Sequence, residues 1–258
     1  MSDKISFEKF GTGKEHIIFL HAFPLDGRMW MQQVLHLKDD YTIIVPDMRC
    51  FGKSATSENV FCSMETYSND VLQIINDLDI DKAILCGLSI GGYIILRSLQ
   101  KFPERISKII LADTKSENDD NAGLINRANT IIKLQDNKKD EVIEGLLGKL
   151  LCKNTIENKS AVVNDAKANM QQQTALAMMS ATAALAMRTN TKESLKEINI
   201  PALILVGEED VITPPSASET LHNNIANSEM QIIKNAGHLS NFENPEDFNA
   251  ALSQFLKK

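Results

Sequence analysis

Aromatic side chains are scarce in this sequence: phenylalanine, tyrosine and tryptophan make up 5% of 258 residues, with a single tryptophan among them. Positive charge is also in the minority, 27 basic residues against 34 acidic, for a net charge of -7. No basic stripe interrupts that balance. The stacking platforms and phosphate-tracking surface of a nucleic-acid binder are both missing. A small anionic substrate is still allowed, because one arginine in a pocket suffices for it. Cysteine occurs four times, at Cys50, Cys62, Cys86 and Cys152, with no CxxC spacing. That argues against zinc and against a disulfide framework, and fits free thiols in a reducing cytoplasm, where the chain is expected to reside. Cys86 is expected to pack within a strand.

Long hydrophobic runs are absent too. The beginning, "MSDKISFEKFGTG", has no apolar signal-peptide core, and runs such as "HIIFLHAF" are far too short to span a membrane. There is no repeat of fixed period and no low-complexity tract apart from one Ala/Met-rich stretch.

What is present is alternation. "HIIFLHAF" (16–23), "TIIVPD" (42–47), "KAILCGLS" (82–89), "ISKIILADT" (106–114), "PALILVGEED" (201–210) and "MQIIKNAG" (230–237) read as strands. They are almost continuously apolar, as strands covered on both faces are. Helical text separates them at 64–78, 91–102 and 216–226. A last helix follows Asn244 as N-cap and Pro245 at its first position. "KISFEKFGTG" reads as an antiparallel edge strand and turn. The expected fold is α/β, a mostly parallel doubly wound sheet. Between about Lys115 and Glu197 no strand-like run occurs, and the text is helical after the polar "KSENDDNAG". This predicts a core of 1–114 and 197–258 with a helical cap, 115–196, inserted after one strand.

At "CGLSIGGY" a serine stands between glycines, Gly87-x-Ser89-x-Gly91, with a strand before it and a helix after. A sharp strand-to-helix turn crowds its flanks, which small residues two positions away relieve, and it projects the hydroxyl from the sheet edge. A serine hydroxyl needs a base to act as a nucleophile near neutral pH. His36 and His222 fall on polar helical text and His16 starts a strand, whereas His238 lies in the loop "NAGHLSN" after the last strand, on the same edge as Ser89. An acid at a strand end should orient it. Asp210, after "ILVGEE", is preferred, and Asp113, after "KIILA", is the alternative; Glu208 and Glu209 adjoin Asp210. Two amides should hold a developing oxyanion: Ile90, next to the nucleophile, and Phe23, in "HAFPLDG" (21–27).

The order Ser89, Asp210, His238 and the stretches "FLHAFPLDGRMW", "VPDMRCFGKS", "CGLSIGGY", "FPERISKIILADT", "ILVGEEDVITPP" and "NAGHLSNFENPEDF" together resemble the α/β-hydrolase superfamily over nearly the whole chain. Within it the sequence is most similar to small capped bacterial hydrolases of the 3-oxoadipate enol-lactonase and carboxylesterase kind. The resemblance implies a serine hydrolase acting on a small-molecule ester or lactone, with no metal or organic cofactor. A serine nucleophile, rather than aspartate, speaks against haloalkane dehalogenase or epoxide hydrolase chemistry. Two departures stand out: Ala22 and Cys50 occupy positions where the family usually has glycine. The same triad would also serve a carbon–carbon bond hydrolase or a cofactor-free perhydrolase. A ligand-binding receptor of this fold is a reading of another class. Met29 and Trp30 either touch substrate or pack the first helix, and Met179 and Met187 are candidates to line the acyl pocket.

Overall fold

A computed structural model describes residues 5–55 and 61–258. Residues 1–4, the start of the stretch read as lacking a leader and, at Lys4, of the expected edge strand, lie outside them. Seven strands form one sheet: β1 (Phe7–Phe10), β2 (His16–Leu20), β3 (Thr42–Pro46), β4 (Ala83–Leu88), β5 (Ile106–Ala112), β6 (Ala202–Gly207) and β7 (Ser228–Ile233). Their order is β1-β3-β2-β4-β5-β6-β7. β1 runs antiparallel to β3 at one edge, and every other pairing is parallel. All residues of β3, β4 and β6 are buried, which is what their unbroken apolar text requires. Each large apolar side chain so buried contributes about 1.5–3 kcal/mol.

The strands end earlier than the apolar runs that announced them. The run 16–23 leaves the ladder after Leu20, 106–114 after Ala112, 201–210 after Gly207, and 230–237 pairs over Ser228–Ile233. The excess is physical: Ala22, Phe23 and Leu25 are buried although they lie in a loop, so hydrophobicity continues past the last ladder bond.

The chain passes from β2 through α1 (Met31–Leu37) to β3 in one direction. It then crosses back through α2 (Met64–Asp77) to β4 and continues through α3 (Ile90–Lys101) to β5. Right-handed crossovers in opposite directions put α1 on one face and α2 and α3 on the other. The reversal lies between β2 and β4, so the loops after these two strands open a crevice at their C-terminal ends. Leu20 pairs with Gly87 there, which places Phe23 and Ser89 a few residues beyond two neighbouring strand ends.

Between β5 and β6 stand α4 (Asn121–Gln135), α5 (Lys139–Leu150), α6 (Lys153–Asn158), α7 (Ser160–Gln172) and α8 (Ala175–Ala186). The Ala/Met-rich stretch is two helices rather than one, because the Thr174 side chain caps α8 by accepting from the Ala177 N–H. After β6 come α9 (Pro215–Asn224), β7, the single turn α10 (Ser240–Glu243) and α11 (Pro245–Leu256), with Asn244 capping α11 through the Asp247 N–H. Among the described residues no helix is long and apolar enough to cross a membrane.

Cys50 adopts φ 76°. That is the left-handed region, favourable to glycine and costing other residues about 1–2 kcal/mol, which accounts for the glycine usual at this position.

Candidate active site

Ser89 sits between β4 and α3 at φ 57° and ψ -113°, a strained conformation for a residue with a Cβ. The surroundings over-determine it. Its N–H donates to the Ala112 carbonyl at 2.9 Å, and its own carbonyl accepts from the Gly92 N–H at 2.9 Å and from the Thr114 hydroxyl at 2.8 Å. The flanking glycines are needed for space. A Cβ on Gly87 would lie 2.4 Å from the Gly91 carbonyl carbon, and one on Gly91 would lie 2.3 Å from the Leu20 carbonyl oxygen.

The structure brings three of the named side chains together. Ser89 Oγ lies 2.8 Å from His238 Nε2, and His238 Nδ1 lies 2.8 Å from Asp210 Oδ2. The carboxylate can only accept, so Nδ1 carries the proton and Nε2 offers its lone pair to the serine hydroxyl. Asp210 is fixed in turn: Oδ1 accepts the N–H groups of Ile212 at 2.8 Å and Thr213 at 3.0 Å, and Oδ2 accepts the Thr213 hydroxyl at 2.7 Å. Burial works to raise the Asp210 pKa, but the attraction of His238 and these hydrogen bonds outweigh it and hold the carboxyl below its usual range. Thr213, which also lies 3.2 Å from His238 Nδ1, went unnamed in the sequence reading; its only signal was its place three residues after the acid.

Asp113, the alternative acid, does not reach His238. It is fully buried, accepting the Gly207 N–H at 2.8 Å and the Ser240 hydroxyl. It ties β5 to β6 and to the start of α10, two residues after His238. Burial, and then the nearby Asp210 charge, push its pKa well above the usual carboxylate range. The sign follows from linkage. A carboxyl whose folded pKa is raised gives a contribution that is complete below its unfolded pKa and is lost as pH rises toward the folded value. Asparagine can accept from Gly207 and donate to Ser240 without ionising. Asp113→Asn is therefore expected to raise stability relative to the parent, the gain growing from pH 4 upward by at most about 1.4 kcal/mol per pH unit. Urea unfolding at pH 5 and pH 8 measures it; a gain that shrinks with pH contradicts it.

The Phe23 and Ile90 amides, named as oxyanion donors, have no hydrogen-bond partner among the described residues. Two contacts tie the loop carrying Phe23: the Ala22 N–H meets Met29 Sδ at 3.1 Å, and the Ala22 carbonyl accepts from Leu25. Phe23–Pro24 is a cis peptide. His21 Nε2 accepts the Met48 N–H at 2.9 Å and its Nδ1 faces the Ala22 carbonyl at 3.0 Å, so the ring stitches two loops. Burial first of all lowers its pKa, which keeps it neutral. The Ala22 methyl is buried. Met29 and Trp30 are buried as well, Trp30 against Phe19 at 4.8 Å and Phe248 at 6.1 Å between ring centroids, so they pack the first helix.

The helices between β5 and β6 touch this edge in three places. The Arg188 guanidinium, just beyond α8, lies 4.4 Å from the ring centroid of Tyr93, one turn after Ser89, and pairs with Asp119 at 2.8 Å. Burial opposes ionisation of Asp119, but Arg188 and Arg127 prevail and hold it at about 2. Glu243 accepts the N–H of Gly237 at 2.7 Å and of Cys152 at 2.7 Å, joining the His238 loop to the end of α5. Asn169 and Gln173 hydrogen-bond Asp26 at 3.0 and 2.9 Å, and Gln173 also accepts the Gly52 N–H. Met179 is half-buried against the core, whereas Met187 is 47% exposed at the end of α8. Among the described residues no cluster of three or more His, Cys, Asp or Glu is placed to hold a metal.

The α/β hydrolase fold family matches residues 15–245. 3-Oxoadipate enol-lactonase 1 of Acinetobacter baylyi is 30% identical, over 93% of this chain and 88% of its own length. 3-Oxoadipate enol-lactonase 2 of the same organism is 26% identical, over 98% and 93%. A thermophilic esterase from Thermogutta terrifontis, solved with malate bound, superimposes with a TM-score of 0.94 at 30% identity, over 98% of this chain and 93% of that one. The chain belongs to the α/β hydrolase fold family.

Proposed function

We propose that this protein cleaves a small carboxylic ester or lactone through an acyl-enzyme, with Ser89 as nucleophile, His238 as general base and Asp210 as the orienting acid. Hydrolysis of an ester or lactone bond agrees with the enol-lactonases and the esterase it is similar to. The observation that carries the finer reading is the unbroken chain Ser89 Oγ–His238 Nε2 and His238 Nδ1–Asp210 Oδ2, 2.8 Å at each step, on a strained turn.

In the proposed reaction Ser89 attacks the carbonyl carbon while His238 takes its proton. Asp210 stabilises the imidazolium that forms. The amides of Ile90 and Phe23 donate to the oxyanion; among the described residues no acceptor competes for either. His238 then returns the proton to the leaving alcohol or enol oxygen, and water repeats the sequence on the acyl-enzyme. Residues 115–196 act as a cap over the edge and 1–114 with 197–258 as the hydrolase core; the contacts of Arg188, Glu243, Asn169 and Gln173 support this division.

The test is turnover of a graded panel of acyl esters and lactones. It should show a burst of product followed by steady release, with one equivalent of a fluorophosphonate bound per chain. A burst with no further turnover would make this a receptor of the same fold, and labelling of any residue but Ser89 would move the nucleophile.

A further inference from the structure

Two thiols outside the proposed reaction face each other. Cys50 Sγ and Cys62 Sγ are 3.8 Å apart, and the two residues are 2% and 1% exposed. Cys50 holds its thiol there from a left-handed backbone position that glycine would occupy without strain. Beside them Arg49 pairs with Asp70. The next residue, Phe51, packs its ring edge-on against Phe23 at 6.5 Å and against His21 at 5.3 Å between centroids. The residue after that, Gly52, donates its N–H to Gln173 of the inserted helices. Cys50 thus stands one residue from the ring that packs on the loop bearing a proposed oxyanion amide.

We infer that Cys50 and Cys62 are a site of reversible oxidation, closing to a disulfide with hydrogen peroxide and thereby slowing the hydrolysis proposed above, on which the regulatory half of this inference rests. A disulfide needs its sulfurs about 2 Å apart. Starting from 3.8 Å, the two strands of chain must draw together, and Cys50 carries Phe51 with it. Phe51 then shifts against Phe23, whose amide must stay aimed at the oxyanion.

The oxidant follows from the burial. Exposures of 2% and 1% shut out a bulky peptide disulfide but admit a small uncharged molecule. Cys62 adjoins Phe61, which is 69% exposed. Cys62 attacks one oxygen of the peroxide; the O–O bond breaks, hydroxide leaves and takes a proton as water, and Cys62 becomes a sulfenic acid. Cys50 sulfur attacks Cys62 sulfur; the S–S bond forms, the S–OH bond breaks, and the thiol proton leaves with hydroxide as a second water. Two thiols have lost two electrons and the peroxide has gained them. The pair divides these roles: Cys62 is the thiol that meets the peroxide, whereas the hydrogen bond to Cys62 and burial push the Cys50 thiol up, so Cys50 keeps its proton until it meets the sulfenic acid. The Cys50 thiol pointing at Cys62, with help from Arg49, offsets burial and brings Cys62 down to about 7. Burial pushes the Cys86 and Cys152 thiols up instead, which leaves them less reactive.

Peroxide titration of the native protein tests this. The count of free thiols after denaturation should fall from four to two, and peptide mapping should find Cys50 joined to Cys62. Turnover of an activated ester should drop by about tenfold or more, since misplacing a catalytic group by about 1 Å can cost about 10²-fold. Dithiothreitol should restore both. Cys50→Gly, which suits the backbone, and Cys62→Ala should keep the reduced enzyme's turnover and lose its sensitivity. Four thiols surviving, a crosslink elsewhere, a Cys50–Cys62 bond with unchanged turnover, or equal inactivation of the cysteine variants would each overturn the inference. If the reduced protein hydrolyses no ester, the hydrolase reading and the regulation fail together; the thiol count and the map still decide the disulfide by themselves.

Discussion

Ser89→Ala is expected to silence ester turnover by a factor on the order of 10⁴–10⁶ while leaving a folded protein. The side chain is spent on one contact, the 2.8 Å approach to His238 Nε2. The interactions that hold the turn use the Ser89 N–H and carbonyl, not the hydroxyl. Alanine at φ 57° bears the same Cβ and so the same strain. Melting temperature should therefore stay close to that of the parent. Covalent labelling by a fluorophosphonate should vanish with turnover. Activity within tenfold of the parent, in a variant shown to be folded, would remove Ser89 from the reaction. A loss of fold together with activity would mean that the hydroxyl supports the turn, contrary to the contacts seen.

Ser89 was legible because the turn leaves two marks in the text: a strand-helix junction, and glycines at Gly87 and Gly91 where a Cβ would strike the backbone. His238 and Asp210 were legible for a related reason. In a parallel sheet the loops after β4, β6 and β7 all emerge at one edge, so polar residues just past apolar runs share a neighbourhood. The same rule placed Asp113 at that edge. It could not distinguish the two acids, since both follow apolar strands. What separates them is side-chain direction. Asp113 turns toward Gly207 and Ser240, within the layer between sheet and α10, whereas Asp210 stands on the Asp210–Thr213 turn facing the imidazole.

Other parts were not readable at all. Glu243 was only one acid in "NFENPEDF", yet it clamps the His238 loop to the end of α5 across a separation of 91 residues. Arg188 closed an Ala/Met-rich helix with no sign that it would stack on Tyr93. Pairings at such distance leave no periodicity in the text. Cys50 lies between these extremes. Its place at a usual glycine position was visible, but its φ of 76° and its proximity to Cys62 belong to the folded chain.

The two acids carry the sharpest remaining contrast. In Asp210→Asn the new carbonyl oxygen can still accept from Ile212 and Thr213, as Asp210 Oδ1 does now. The amide NH₂ then takes the place of Oδ2 and presents donors to His238 Nδ1 at 2.8 Å. The imidazole must respond by accepting there, which moves its proton to Nε2. A protonated Nε2 faces Ser89 with no lone pair, so the base is lost, and with it the negative charge that would offset the imidazolium. The loss in turnover is expected to be about 10⁴-fold, as in the serine-protease case from which the rule comes. Asp113→Asn changes none of these atoms. Its partners are Gly207 and Ser240, both of which asparagine satisfies, so turnover should remain within about threefold while the stability gained over the parent grows with pH. Both variants are to be assayed on one activated ester after circular dichroism shows them folded. Equal loss in the two would mean that His238 depends on Asp113 through Ser240 as much as on its direct partner. Loss in Asp113→Asn alone would transfer the orienting role to the end of β5, and the 2.8 Å contact between Asp210 and His238 would then have no part in the reaction.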